Sequence, residues 1–68
     1  MKIKILPLAA MEKILKKAGS SRVSEGAKEE LRIFLEDTAL EVGRKAYTLS
    51  VHSGRGTVKA EDVRLAVK

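Results

Sequence analysis

The chain has 68 residues, with 14 lysines and arginines against 9 aspartates and glutamates, which gives a formal net charge of +5. This length allows at most one small domain, which we expect to span residues 1–68. Cysteine is absent and there is one histidine, which excludes a disulfide framework and thiolate metal sites, so we expect no cofactor and no metal.

The composition also excludes several classes of function. Aromatic residues make up 3% of the chain, too few for a stacking platform on single-stranded nucleic acid. One histidine and no cysteine in so short a chain provide no catalytic constellation, so we expect neither an enzyme nor a small-molecule substrate. No apolar run approaches the roughly 20 residues that span a bilayer, and removing residues 1–10 as a signal peptide would leave almost no domain. We therefore expect a complete, cytoplasmic protein without a membrane partner.

The first predicted helix covers about residues 8–18. Pro7 stands just before it, where a missing backbone N–H costs a helix nothing, and apolar residues then recur at a spacing of three to four. Gly19 is predicted to end this helix in a left-handed conformation.

A long second helix is predicted over about residues 24–52. Ser24 is a suitable N-cap, no proline interrupts the segment, and apolar residues follow one face at helical spacing. Such a helix is roughly 43 Å long at 1.5 Å per residue. The charged residues of the opposite face include Lys28, Glu29, Glu36 and Arg44.

The end of the chain contains a short third helix. Residues 53–56 break the long helix, and Thr57 and Val58 form a short extended piece. The last helix is predicted over about residues 60–67, where Glu61 and Asp62 in the first turn suit the helix dipole.

These element lengths predict an obligate dimer. Two short helices cover only part of the apolar stripe of the long helix, and so small a chain has little stability to spare. Two copies that cross at their long helices would bury both stripes in one core. Gly43 costs the long helix roughly 1 kcal/mol relative to alanine, and either a close approach of two helices or simple tolerance accounts for it.

Positive charge collects outside the long helix. Residues 24–52 contain 4 basic and 6 acidic residues, a net charge of −2, so the remainder of the chain carries +7. Loops and helix ends rich in lysine and arginine are typical of phosphate-binding surfaces. The alternative is a solvated basic rim that only aids solubility.

Two blocks of sequence resemble the archaeal histone family. Residues 18–24, AGSSRVS, are similar to that family's stretch between its first two helices. Residues 52–63, HSGRGTVKAEDV, are similar to its H-A-G-R-K-T-I-K-A-E-D-I block, and the likeness extends over about residues 7–68. The resemblance implies an all-α histone fold that forms an intertwined handshake dimer. It further implies a chromosome-associated protein that binds, bends, wraps and compacts double-stranded DNA, largely without sequence specificity.

The resemblance also implies roles for single residues. Arg22 is expected to enter the DNA minor groove, where it reads groove width and potential rather than base identity. Thr57 is expected to lie near the same phosphates, because Thr57 and Val58 would pair with the extended loop of the partner chain. The implied DNA-binding residues are Lys13, Lys17, Arg22, Ser24, Arg55, Gly56, Thr57 and Lys59.

Further implied contacts hold the fold and the assembly together. Arg55 and Asp62 match an ion pair between a loop and a helix, so Arg55 is expected to be structural first. Dimers are expected to stack into higher oligomers on DNA, with a hydrogen bond between His52 and Asp62 of neighbouring dimers. The implied dimer–dimer interface consists of Leu49, His52, Asp62 and Leu65.

Gly56 departs from the family pattern. The family's usual Arg-Lys-Thr reads Arg55-Gly56-Thr57 here, which removes one lysine that contacts phosphate from each chain. Two fewer contacts in a dimer would lower the salt dependence of binding by about 2 log units per log unit of salt. Alternatively, glycine lets the backbone N–H approach a phosphate closely. We expect weaker DNA binding than in a typical relative.

Two alternatives within the histone fold stay open. The chain could be a protein-interaction module, like the dimerising components of general transcription factors, although Arg22, Arg55 and Lys59 favour DNA. It could also bend or bridge DNA without continuous wrapping. The partner in the dimer is a second copy of the chain or a paralogue. A helix–turn–helix or ribbon–helix–helix repressor is excluded because neither accommodates so long a central helix.

Overall fold

The computed structural model describes residues 5–68, which form three α-helices and no strand. Helix α1 spans Leu8–Lys17, α2 spans Glu25–His52 and α3 spans Ala60–Ala66. The prediction of an all-α chain with a short, a long and a short helix is confirmed. Residues 1–4 of the predicted domain lie outside the described residues. Within the described range, no helix is both long and apolar enough to cross a membrane.

Helix α1 is bounded by a proline and a glycine. Pro7 is the N-cap in an extended conformation, and no side chain of its own segment caps the helix. At the other end Gly19 has a φ of +125°, and the N–H groups of Gly19 and Ser20 donate to carbonyls of the last turn at 3.0 and 3.2 Å. This pair of bonds is a Schellman motif, which favours glycine because side chains rarely adopt a positive φ.

Helix α2 uses the same devices. The Ser24 hydroxyl accepts a hydrogen bond from the Ala27 N–H at 3.1 Å, which satisfies one unpaired donor of the first turn. Gly54 has a φ of +76°, and the N–H groups of Gly54 and Arg55 each donate to a carbonyl of the last turn at 2.9 Å. A Cβ at Gly43 would meet nothing within 4 Å in this chain, so no contact inside the chain requires glycine there.

The chain forms two compact units, Met1–Asp37 and Thr38–Lys68, and α2 contributes to both. In the described part of the first unit, Met11 of α1 is buried, and the Lys28 ammonium lies 3.7 Å from the Glu12 carboxylate. A hydrogen bond from Lys16 lowers the pKa of Glu12, and a hydrogen bond to Glu25 raises the pKa of Lys28. In the second unit, Ala46 and Ser50 of α2 are buried.

A single chain leaves much of its apolar surface uncovered. Phe34 is 64% exposed and Tyr47 58% exposed, whereas Met11 and Ala46 are the fully buried apolar residues of the described part. The charged face of α2 also differs from the prediction of a purely polar surface. Glu36 is only 8% exposed, because its carboxylate accepts hydrogen bonds from the chain itself.

Candidate nucleic-acid interface

The first unit presents cations on α1 and on the loop that follows it. Lys13, Lys17 and Arg22 are exposed, and none of them forms an ion pair with any residue in the described range 5–68. By contrast, Lys16 and Lys28 pair with carboxylates of the same unit. The unpaired cations keep their full charge available for an external anion.

Ser24 lies beside this group of cations but has a local role. Its hydroxyl oxygen accepts the Ala27 N–H at the start of α2. The Ser20 hydroxyl donates to the Arg22 carbonyl at 2.7 Å, which shapes the loop that carries the arginine side chain. The backbone on both sides of Arg22 is therefore held by short-range hydrogen bonds of serine hydroxyls.

The second unit holds its loop by a two-pronged ion pair. The two terminal nitrogens of Arg55 each donate to one carboxylate oxygen of Asp62, both at 3.0 Å. One of these nitrogens also donates to the Thr57 carbonyl at 3.1 Å, and the Lys59 N–H donates to Asp62 Oδ2 at 2.8 Å. Asp62 is only 2% exposed, so a buried carboxylate fixes both ends of the loop between α2 and α3.

The titration of this pair follows from its geometry. The hydrogen bonds from Arg55 and from the Lys59 N–H lower the pKa of Asp62, although burial acts in the opposite direction. The hydrogen bond to Asp62 raises the pKa of Arg55. Both groups are therefore charged at neutral pH, and most of the arginine's hydrogen-bonding capacity serves the loop.

The other predicted residues of this loop lie on its surface. Gly56, Thr57 and Lys59 are exposed, and Lys59 forms no ion pair in the part of the chain that the structure describes. Gly56 has no positive φ, and a Cβ there would meet nothing within 4 Å. A larger side chain therefore fits at Gly56 without strain.

Two of the four predicted dimer–dimer residues meet in one groove. Leu49 of α2 and Leu65 of α3 line an open groove of about 360 Å³. His52 is exposed at the last position of α2, whereas Asp62 is buried and bound to Arg55. The other lining residues of the groove are Lys45, Thr48, Ala66 and Lys68.

The sequence analysis missed one polar contact of the first unit. Glu36 Oε2 accepts the backbone N–H groups of Ile5 and Leu6, at 2.6 and 2.7 Å. The available signal was indirect: α1 has no acidic residue in its first turn, and Pro7 offers no side-chain cap. A helix that lacks its own negative charge at the N-terminus needs one from elsewhere in the fold.

The chain is similar to known proteins over nearly its whole length. Residues 4–67 match the family described as histone-like transcription factor (CBF/NF-Y) and archaeal histone. The chain is 56% identical over 63 residues to an archaeal histone of Thermococcus zilligii named HAN1, covering 93% of this chain and 94% of that protein. It is 49% identical over 63 residues, with the same coverage, to probable archaeal histone 3 of Methanocaldococcus jannaschii. These matches confirm the resemblance that the two sequence blocks carry.

Proposed function

Because the chain belongs to the family of histone-like transcription factors and archaeal histones, we propose that it dimerises and binds double-stranded DNA largely independently of base sequence. The three helices match the histone fold of that family. The family is not enzymatic, in agreement with the composition. In this proposal the protein is part of the chromosome, in the cytoplasm, and bends and compacts DNA.

The observation that carries the proposal is the distribution of unpaired cations. Lys13, Lys17, Arg22 and Lys59 are exposed and have no carboxylate partner among residues 5–68. All four belong to short helices or loops, whereas Lys28 and Arg32 of the long helix are paired. Cations without an internal partner bind phosphate with the least loss of existing interactions, because no ion pair must first be broken.

The exposed apolar residues support the dimer. A chain of this size that buries few apolar side chains has too little hydrophobic stabilisation to fold alone. Phe34, Tyr47 and Val51 of α2 are all more than half exposed in one copy. Crossing of two α2 helices would cover these side chains, and the short loops of one copy would then pair with those of the other.

The two loops contribute to DNA binding in different ways. Arg22 supplies a free guanidinium that fits a narrow, electronegative minor groove. Arg55 fixes the backbone of the second loop, so that the hydroxyl of Thr57, the ammonium of Lys59 and the backbone at Gly56 face phosphate. This division supports binding that depends on the DNA backbone and not on base edges.

We further propose that dimers stack through the groove face. Leu49 and Leu65 supply the apolar contact, and the His52 imidazole donates to Asp62 of the neighbouring dimer. Asp62 Oδ1 accepts one hydrogen bond inside its own chain, which leaves an acceptor site on that oxygen. Changing Leu49 to glutamate should shorten the ladder of DNA fragments protected from micrococcal nuclease, and an unchanged ladder would contradict stacking.

Salt-dependent binding to unrelated duplexes tests the proposed function. At about 0.15 M salt we expect similar affinities for duplexes of different sequence, and a steep linear fall of log K with log salt. Duplexes that compete equally would support a histone that acts through the DNA backbone. No binding at this ionic strength would contradict DNA binding and favour a protein-interaction module of the same fold.

A further inference from the structure

Glu36 makes an unusual contact for a residue in the middle of a long helix. Its Oε2 accepts two consecutive backbone N–H groups, from Ile5 and Leu6, across 31 and 30 residues of sequence. Both bonds are short, as expected when a carboxylate accepts from a backbone donor. The residue is 8% exposed and pairs with no cation in the part of the chain covered by the structure. The carboxylate is therefore committed to the segment that leads into α1.

This segment determines where α1 begins. Pro7 has no N–H, so the N–H groups of Ile5 and Leu6 are the last backbone donors before the helix. Helix α1 has no acidic residue in its first turn and no side-chain cap. The buried charge of Glu36 stands next to this N-terminus and supplies the negative charge that the helix lacks.

Helix α1 is thus attached to α2 by polar contacts at two points. Glu36 holds the segment before its first turn, and the Glu12 carboxylate lies 3.7 Å from Lys28 in its middle. The two contacts descend along α2 as they ascend along α1, so α1 runs antiparallel to the first part of α2. Two separated attachments fix the rotation of a short helix, which one attachment cannot do.

We propose that Glu36 is a positioning residue for DNA binding, which orients α1 so that Lys13 meets phosphate. Lys13 is exposed on α1, two residues after the buried Met11, and its direction depends on how α1 is seated. The inference rests on the proposed DNA-binding function and adds to it a residue that touches no DNA. The reach of the carboxylate to the two amides carries the effect, and its charge alone does not.

Two conservative variants separate reach from charge. Glu36→Asp keeps the charge but is one methylene shorter, and Glu36→Gln loses the charge but keeps an oxygen at the same reach. We would measure the salt dependence of binding to a fluorescent duplex for both variants, for Lys13→Ala and for Glu36→Asp combined with Lys13→Ala. Glu30→Asp is the matched control, because Glu30 is exposed on the same helix and forms no ion pair in the described range.

The proposal predicts opposite results for the two variants. Lys13→Ala should lower the salt slope by about 2 for a dimer, and Glu36→Asp should lower it by a similar amount. Adding Lys13→Ala to Glu36→Asp should then change little, because the lysine is already misplaced. Glu36→Gln and Glu30→Asp should keep the slope of the parent protein. Helical content and sedimentation of each variant identify the folded dimer that the slope describes.

Three results would overturn the proposal. The first is a parent-like slope for Glu36→Asp, and the second is a full, additive loss when Lys13→Ala is combined with it. The third is a tighter Glu36→Gln with an unchanged Glu36→Asp, since that pattern follows from net charge alone. If Glu36→Asp does not fold, loss of slope in the folded Glu36→Gln would count against the proposal and a kept slope would support it. Absence of binding by the parent protein would instead contradict the proposed function itself, and this inference with it.

Discussion

The two compact units of the chain each use a buried carboxylate to fix a loop or a chain segment, but they neutralise it differently. In the first unit, Glu36 accepts two backbone N–H groups and, within the described range, pairs with no cation. In the second unit, Asp62 binds the guanidinium of Arg55 and one backbone N–H. The first unit therefore keeps Arg22 free of ion pairs within residues 5–68, whereas the second uses its loop arginine to hold the loop.

This difference indicates a division of labour between two arginines. Loop stability in the second unit depends on Arg55, so that loop has little free charge, and the glycine at position 56 adds none. The first unit carries its loop shape on serine hydroxyls and presents the whole charge of Arg22. In our account, Arg22 contributes mainly to DNA affinity and Arg55 mainly to folding.

Removal of Asp62 should break the comparison most severely. In Asp62→Ala, Arg55 loses its anchor and the Lys59 N–H loses its acceptor, so we expect the melting temperature to fall by about 10 °C or more. Circular dichroism at one fixed protein concentration measures this change, because the melting of a dimer depends on concentration. A fall of only a few degrees would show that the loop does not depend on the ion pair.

The same pair predicts a defined acid sensitivity. Since the pKa of Asp62 is lowered in the folded state, its contribution to stability is full above the ordinary aspartate value of 3.8. The contribution is lost as the pH falls from there through the folded pKa. The stability difference between the parent and Asp62→Asn should therefore be constant from about pH 5 to 7 and shrink below about pH 4. Denaturant titrations at several pH values check this, and a difference that grows on acidification would contradict it.

Arg22→Ala should have the reverse profile of Asp62→Ala. We expect DNA affinity at about 0.15 M salt to fall by about tenfold to a hundredfold and the salt slope to fall by about 2 for a dimer. The melting temperature should change by no more than a few degrees, because Arg22 makes no side-chain contact that the fold requires. Loss of folding with unchanged salt slope would assign Arg22 to structure instead.

Gly56→Lys should bring the two loops closer in charge. The site is exposed and open, so a lysine there adds a phosphate contact without strain. We expect the salt slope to rise by about 2 for a dimer, with the melting temperature nearly unchanged. Gly56→Ala is the matched control, since it removes glycine without adding charge. No gain in binding over that control would discard the hypothesis that Gly56 weakens DNA binding.

The sequence predicted the local features of this fold well because they depend on neighbouring residues. The spacing of apolar residues, Pro7, Gly19 and Ser24 define where α1 and α2 lie, and these signals act over a few residues. The resemblance to a family pointed to Arg55 and Asp62, which are 7 residues apart. Burial of Glu36 was not predictable in this way, because the groups that donate to it lie about 30 residues away and are backbone amides without a sequence signature.

Sedimentation equilibrium at micromolar concentration tests the central claim most directly, because every DNA contact proposed above requires two copies of the chain. Our account predicts a helical species of twice the 7.4 kDa chain mass. A fully helical species of 7.4 kDa under the same conditions would contradict the account, since one chain would then fold with its apolar residues uncovered.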